Sequence, residues 1–273
     1  MIIEYAYAKI NLALEVMDVK DGYHMVNNLM IPIDLYDKLT FEPNDTIELI
    51  NNEFEDNIIL KAAKLFVNKF NINSGIKITL EKNIPSAAGL AGGSSDAAAT
   101  LRGLNRIFND IATHDELLEL ASELGSDVPF FIDTKLALCT NRGEKVNKVD
   151  VESFVFDLLL IKPKTGLSTK EVYKNYVYQN VSKREKIDNI IKAIKYCDTF
   201  SLKENIFNDL TKTALNLNTE LNTIYNDLKK RTDIYLSGSG PTMFIINPDI
   251  DVVSYIEKNY KDCFIKKCKT IKL

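Results

Sequence analysis

The residues best suited to chemistry are gathered in Ile84-Pro85-Ser86-Ala87-Ala88-Gly89-Leu90-Ala91-Gly92-Gly93-Ser94-Ser95-Asp96. Ahead of this run Ile76, Ile78 and Leu80 alternate with Lys77, Thr79 and Glu81, the pattern of a strand with one buried face. Behind it Ala97, Leu101, Leu104 and Phe108 fall at helical spacing. A strand that feeds a glycine-rich loop into a helix is suited to phosphate, because the first helical turn has N–H groups without partners and the peptide dipoles add partial positive charge there. Gly89, Gly92 and Gly93 are expected to supply positive φ and close backbone approach, and Ser94 and Ser95 hydroxyls for a phosphate oxygen or Mg²⁺. The run lacks the lysine of a Walker A loop, and Ala91 stands where a dinucleotide fingerprint needs its second glycine. The alternative is a tight strand-to-helix turn with small residues for close packing.

Four other places could do chemistry. Lys9, in Ala8-Lys9-Ile10-Asn11-Leu12, reads by itself as a solvated strand lysine. Asp21-Gly22-Tyr23-His24 is a turn, in which Tyr23 could stack on a flat heterocycle and His24 could offer a donor and an acceptor to a pyrimidine edge. Asp127, between Gly125 and Val128-Pro129-Phe130-Phe131, is either a turn former or a carboxylate held at an apolar wall. Ser237-Gly238-Ser239-Gly240-Pro241-Thr242 is a second glycine turn, with a hairpin bearing glycine bulges as its plain reading.

The thirteen-residue pattern Pro-x-x-x-Gly-Leu-x-Gly-Gly-Ser-Ser-Asp-Ala, residues 85 to 97, resembles the phosphate loop of the kinases of galactose, homoserine, mevalonate and phosphomevalonate, the GHMP kinases. The motifs at Lys9, at Tyr23-His24 and at Gly125-x-Asp127-Val128-Pro129 are similar to those of one branch of that family, and residues 237 to 242 resemble its third glycine motif, so the resemblance covers most of the chain. It implies an α+β fold in two domains: residues 1–150, with a ribosomal protein S5 domain 2-like fold and the ATP phosphate loop, and residues 151–273, with a ferredoxin-like fold. It implies a small-molecule kinase that uses ATP and Mg²⁺ to phosphorylate a hydroxyl of an acceptor bearing a cytidine diphosphate group, on a route to isoprenoid precursors.

The same resemblance implies roles residue by residue. Lys9 and Asp127 would be catalytic. Pro85, Ser86, Ala87, Ala88, Gly89, Leu90, Ala91, Gly92, Gly93, Ser94 and Ser95 would bind ATP, with Asn57 reaching the adenine and Ser95 available to Mg²⁺. Asn11, Tyr23, His24, Thr169, Gly238 and Gly240 would bind the acceptor. Ala91 departs from the glycine that many members carry, and restricts the backbone there.

The elements that must carry these residues are readable in outline. Residues 2 to 17 read as a strand with Lys9 and Asn11 on the wetter side, and two strands are expected over 25 to 50, broken at Pro32 and at Pro43-Asn44-Asp45. Asp56-Asn57 should cap an amphipathic helix from Ile58 to Phe70, in which Ile58, Ala62, Leu65 and Lys69 follow one another at three- or four-residue spacing, and Thr113 with Glu116 forms a capping box for a helix that stops at Gly125. A strand over Lys135 to Thr140 and a charged link, Glu144 to Glu152, are predicted to close the first half. The second half predicts a buried strand from Phe154 to Ile161, a helix from Ser168 to Tyr178, helices over 183 to 197 and 201 to 230, two short strands around the second glycine turn, a helix from Val252 to Tyr260 and a last strand, together a helix-backed antiparallel sheet. Lys183, Arg184 and Lys186 read as a wet helix face, and His114 as an exposed residue of a first turn.

With 273 residues the chain can bury a full core, and 34 Lys plus Arg against 38 Asp plus Glu argue against a protein that coats nucleic acid. Four cysteines without a C-x-x-C pair suit a reducing compartment, and no apolar run is long enough for a signal peptide or a membrane span. The expectation is a cytoplasmic monomer or homodimer without nucleic-acid or membrane partners.

Overall fold

The computed structural model describes residues 1–20, 22–51, 57–151 and 154–271. Two long strands, β1 (Ile2–Lys20) and β2 (Tyr23–Asn44), form the antiparallel hairpin on which the first sheet is built. Asp21 lies outside the described residues, so the turn motif is placed from Gly22 onward. Contrary to the predicted break, β2 runs straight through Pro32. Pro32 pairs with Lys9, whose N–H points away from β2 to Leu90 O, so the missing proline N–H also faces away from β1. It falls between the stretches of β2 that pair with β5 and β4, and its carbonyl accepts from Ile271 N instead. The second predicted break is present: β2 ends at Asn44, and β3 (Glu48–Ile50) follows.

Asn57 caps α1 (Ile58–Lys69), its Oδ1 accepting from Ile59 N at 2.9 Å, whereas Asp56 lies outside the described residues. The buried stripe of α1 is Ile59, Ala62, Ala63 and Phe66, rotated by one residue from the predicted one. Then come β4 (Gly75–Glu81), α2 (Gly92–Ile107), α3 (His114–Leu124) with both halves of its capping box, α4 (Phe130–Asp133), β5 (Ala137–Thr140) and β6 (Lys145–Lys148). The predicted charged link is therefore half strand. In β6 Val146 packs on the core while Lys145 and Lys148 face water, the composition of a protected sheet edge. The helices bury Phe66, Leu101, Leu104 and Phe130 against Phe41 and Ile78 of the sheet.

The second half supplies β7 (Asp157–Lys162), α5 (Thr169–Asn175), α6 (Arg184–Lys195), α7 (Thr199–Asn205), β8 (Phe207–Asn208), α8 (Thr211–Leu217), α9 (Thr219–Lys229), β9 (Tyr235–Leu236), β10 (Met243–Ile246), α10 (Ile250–Asn259) and β11 (Phe264–Lys269). Its sheet runs β11-β7-β10-β9, all antiparallel, the strand order of a ferredoxin-like sheet. Two predicted helices are shorter than expected. The helix after Ser168 stops at Asn175, and the stretch 201 to 230 is divided because Phe207 and Asn208 pair in parallel with Ala13 and Leu14 of β1, and Asn218 starts a new helix by capping Leu221 N.

Through β8 the second half reaches the first sheet, whose order becomes β3-β4-β2-β1-β8 with β5 and β6 added on β2. One buried cluster spans both sheets, with Ile10, Leu29 and Ile31 against Leu158, Ile190 and Phe244. Lys183 is not on a wet face: it forms an ion pair with Asp209, lies 5.3 Å from the Phe207 ring centroid and donates its backbone N–H to Glu15 Oε1 at 2.6 Å.

Candidate active site

The loop between β4 and α2 is tied down by its carbonyls. Leu90 O accepts from Lys9 N at 3.2 Å, Ala88 O from Thr242 N at 3.2 Å, and Gly89 O from both Lys9 Nζ and Ser237 Oγ at 2.9 Å. The α2 helix starts without an acidic residue, and Ser95 N is the donor to Ala91 O at 3.0 Å. Among the described residues the amides of Gly92, Gly93 and Ser94 are thus the open donors of a helix N-terminus.

Of the three glycines expected to take positive φ, Gly89 does (74°), but Gly92 and Gly93 are helical and the other left-handed angles fall on Ala87 (48°) and Ala91 (56°). Gly89 is required because a Cβ there would lie 2.2 Å from Ser237 O. Gly92 is required for space, a Cβ meeting Ile84 Cγ2 at 2.9 Å. Gly93 has room, so its glycine is not explained by a clash.

A cavity of about 440 Å³ opens over this loop. Its wall includes Pro85, Ser86, Ala87, Ala88, Gly89, Ala91, Gly92 and Gly93, with Asn57 and Ile58 at the start of α1, and Lys9, Asn11, Asp127, Thr169 and Gly238. Leu90, Ser94, Ser95 and Gly240 do not line it. Leu90 turns its side chain into the core, Ser95 is buried in the first turn of α2, and Gly240 closes the second glycine turn by donating to Ser237 O at 2.9 Å.

A second cavity, about 780 Å³, is lined by Gly22, Tyr23, His24, Arg142, Lys170 and Lys174. The two cavities share Asp127, Thr169 and Tyr173. Tyr23 is 56% exposed, with the Arg142 guanidinium 5.2 Å from its ring centroid. The His24 ring lies 5.7 Å from Tyr173 and 6.0 Å from Tyr176, with Nδ1 3.4 Å from Met17 O.

Lys9 is only 3% exposed, although strand alternation puts it on the wetter side, because the glycine loop and the 237–240 turn cover it. Its ammonium donates to Asn11 Oδ1 at 2.7 Å, and Asn11 in turn donates to Asn28 Oδ1 at 2.5 Å. Burial lowers the Lys9 pKa, and the opposing charge of Asp127 partly restores it. Burial and then the charge of Asp127 raise the Cys139 thiol and the Tyr173 phenol. Asp127 therefore acts electrostatically on three groups around the junction of the cavities, without a direct ion pair to Lys9 among the described residues.

Sequence reasoning missed several wall residues. Lys82 donates to Asp37 and Asp96; burial alone would lower its pKa, but Asp96 and Asp37 outweigh it and the pKa is raised. Ser239 Oγ lies 2.7 Å from Thr169 Oγ1. Tyr173 and Lys174 follow Thr169 and Lys170 at i+4 on α5, a spacing that marks one helix face and could have flagged them.

Residues 57–135 match the family model described as GHMP kinases N terminal domain. The chain is 38% identical over 276 residues to the 4-diphosphocytidyl-2-C-methyl-D-erythritol kinase of Clostridium beijerinckii, covering 96% of this chain and 98% of that protein. The chain belongs to the 4-diphosphocytidyl-2-C-methyl-D-erythritol kinase family. The protein of the same name from Bacillus cereus strain B4264 is 41% identical, over 88% of this chain and 86% of its own. A crystal structure of 4-(cytidine 5'-diphospho)-2C-methyl-D-erythritol kinase superposes with a TM-score of 0.79 at 26% identity, covering 98% of this chain and 99% of that one. A crystal structure of L. major mevalonate kinase in complex with R-mevalonate superposes with a TM-score of 0.70 at 17% identity, over 100% of this chain and 96% of that one, and shares the fold. As a member of this kinase family the protein is a small-molecule kinase with a two-domain α+β GHMP architecture.

Proposed function

We propose that this kinase transfers the γ-phosphoryl group of ATP to the 2-hydroxyl of 4-diphosphocytidyl-2-C-methyl-D-erythritol, a step of the non-mevalonate route to isoprenoid precursors, in the cytoplasm. The observation that carries the reading is the meeting of two cavities at Asp127, Thr169 and Tyr173: one runs along a helix-start loop suited to polyphosphate, the other past an exposed tyrosine and a histidine. In this reading residues 1–150 supply the nucleotide domain, and residues 151–273 close it with α5 and the second glycine turn.

The nucleotide's phosphates lie along residues 85 to 95 with its base toward Asn57, whose Oδ1 is engaged as the cap of α1. Magnesium would enter with the nucleotide as part of the substrate, since Ser95, the sequence's candidate to hold it, is buried behind the loop. In the other cavity Tyr23 stacks on the cytosine and His24 reads its edge. Phosphoryl transfer asks chiefly for alignment and charge balance. Asp127 orients the acceptor hydroxyl and takes its proton. Lys9, anchored by Asn11 and Gly89 O, balances charge on the transferring group. Thr169 and Gly238 border the acceptor end, and Gly240 serves indirectly by shaping the turn.

The test is phosphate transfer from ATP to the cytidyl acceptor, to mevalonate and to homoserine, assayed side by side. The reading expects turnover on the cytidyl acceptor alone. Comparable turnover on either of the others would replace it with another activity of the GHMP group.

A further inference from the structure

Asp37 is fully buried in the middle of β2, on the wall of neither cavity described above, yet it accepts three hydrogen bonds from the segment that leads into the glycine loop. Its Oδ1 takes the backbone N–H groups of Asn83 at 2.5 Å and Ile84 at 2.8 Å, and its Oδ2 takes the Lys82 ammonium at 2.5 Å. Lys82 Nζ also donates to Asp96 Oδ2, on α2, at 2.7 Å. Two of the three ammonium N–H groups are thereby used, and the third remains for an oxygen in the cavity that Lys82 lines. The same bracket abuts the first residue of α2. Where Gly92 lacks a side chain, a Cβ would meet Ile84 Cγ2 at 2.9 Å and Lys82 Nζ at 3.1 Å, so the seat of Lys82 and Ile84 fixes how close the first amide of α2 comes to them. Asp96 Oδ1, buried beside Lys82, accepts no hydrogen bond among the described residues, and burial raises the pKa of this carboxyl to about 7.

We propose that Asp37 is a positioning residue for the nucleotide, acting through Lys82: one carboxylate, placed under the loop, aims the Lys82 cation and seats the start of α2 for a triphosphate. The chemistry requires a carboxylate. An asparagine in its place could still accept from the two amides through Oδ1, but would turn an NH₂ donor toward the ammonium. The inference rests on the nucleotide occupying the first cavity, and the experiment separates the two.

Calorimetric titration with a non-hydrolysable ATP analogue and Mg²⁺, paired with steady-state kinetics, is carried out on the wild type, Asp37→Asn, Lys82→Met and the double variant. Asp37→Asn is expected to weaken analogue binding and raise KM for ATP by about tenfold, with KM for the acceptor unchanged, as loss of a charge-assisted contact predicts. The double variant should bind no more weakly than Lys82→Met. Wild-type affinity in Asp37→Asn overturns the inference. So does a fall in kcat with both KM values unmoved, the mark of a merely structural role. If Asp37→Asn does not fold, Lys82→Met decides: undiminished analogue binding in that variant overturns the proposal, and about tenfold weaker binding with an unchanged acceptor KM supports it. Failure of the wild type to bind the analogue removes the nucleotide reading itself, and this inference with it.

Discussion

A charged lysine enclosed by protein costs stability that function must offset, and Lys9 is such a case. Burial lowers its pKa, so the folded chain holds this proton less tightly than the unfolded chain, and folding is penalised at neutral pH. The penalty fades as pH rises from the depressed folded value toward the ordinary 10.5. Lys9→Met should therefore raise Tm at pH 7 while abolishing turnover, by about 1 kcal/mol or about 2–4 °C, with the gap to wild type narrowing in alkali. Of the two acceptors it abandons, Gly89 O keeps the Ser237 hydroxyl at 2.9 Å, whose single hydrogen cannot also serve Asn11 Oδ1 at 3.4 Å, and this holds the gain to a small one. A lower Tm in that variant would contradict the argument. In the wild type, activity should fall on the alkaline side with an inflection below 10.5. At this scale Lys9, Asp127, Tyr23 and His24 were legible because each stands in a motif. Asp37 and Lys82 were not, because an aspartate in a strand and a lysine after one look solvated until the loop that covers them is in place.

At the level of elements, the glycine loop and the second glycine turn pack backbone against backbone, and Gly89 is the contact. Gly89→Ala drives a Cβ into Ser237 O and adds a left-handed backbone angle to a residue that resists it. The expected cost is about 3 kcal/mol, roughly 6–12 °C in Tm, with loss of ATP-analogue binding, as read by thermal denaturation and calorimetry. Ala91 already takes such an angle, so Ala91→Gly should raise Tm slightly, by about 0.5 kcal/mol, after the added freedom of the unfolded chain is subtracted. The loop was visible in composition, but the assignment of positive φ was not. Which residues turn and which begin the helix depends on where α2 starts, and Gly92 and Gly93 are compatible with either. Pro32 shows the same limit: its tolerance inside β2 comes from the orientation of its amide, which only the pairing with β1 fixes.

Over the whole molecule, the candidate site is assembled from parts far apart in sequence. Lys9 comes from β1, Asp127 from the turn after α3, Thr169 and Tyr173 from α5 and Gly238 from the turn after β9, held together by a core shared between the two sheets. The first sheet was legible in the alternating patterns of residues 2 to 17 and 76 to 81, and the second in the apolar run Phe154 to Ile161 and the short strands around the second glycine turn. The β8 crossing was not, because two residues carry no period. If the cavities divide the substrates as proposed, Tyr23→Ala should raise KM for the cytidyl acceptor by about tenfold to a hundredfold, the equivalent of about 1–3 kcal/mol for a stacked base, while KM for ATP stays unchanged. Equal rises for both substrates would refute that division.

The central claim is that Lys9 and Asp127 work as one unit where the cavities meet. It is tested most directly by single-turnover transfer of labelled phosphate from ATP to the cytidyl acceptor in the wild type, Lys9→Ala, Asp127→Ala and the double variant. Each single variant should be slower by roughly 10²–10⁴-fold, and the double variant little slower than the worse of the two. A single variant that transfers phosphate at near wild-type rate, or a double variant whose loss is the full product of the single losses, would contradict it.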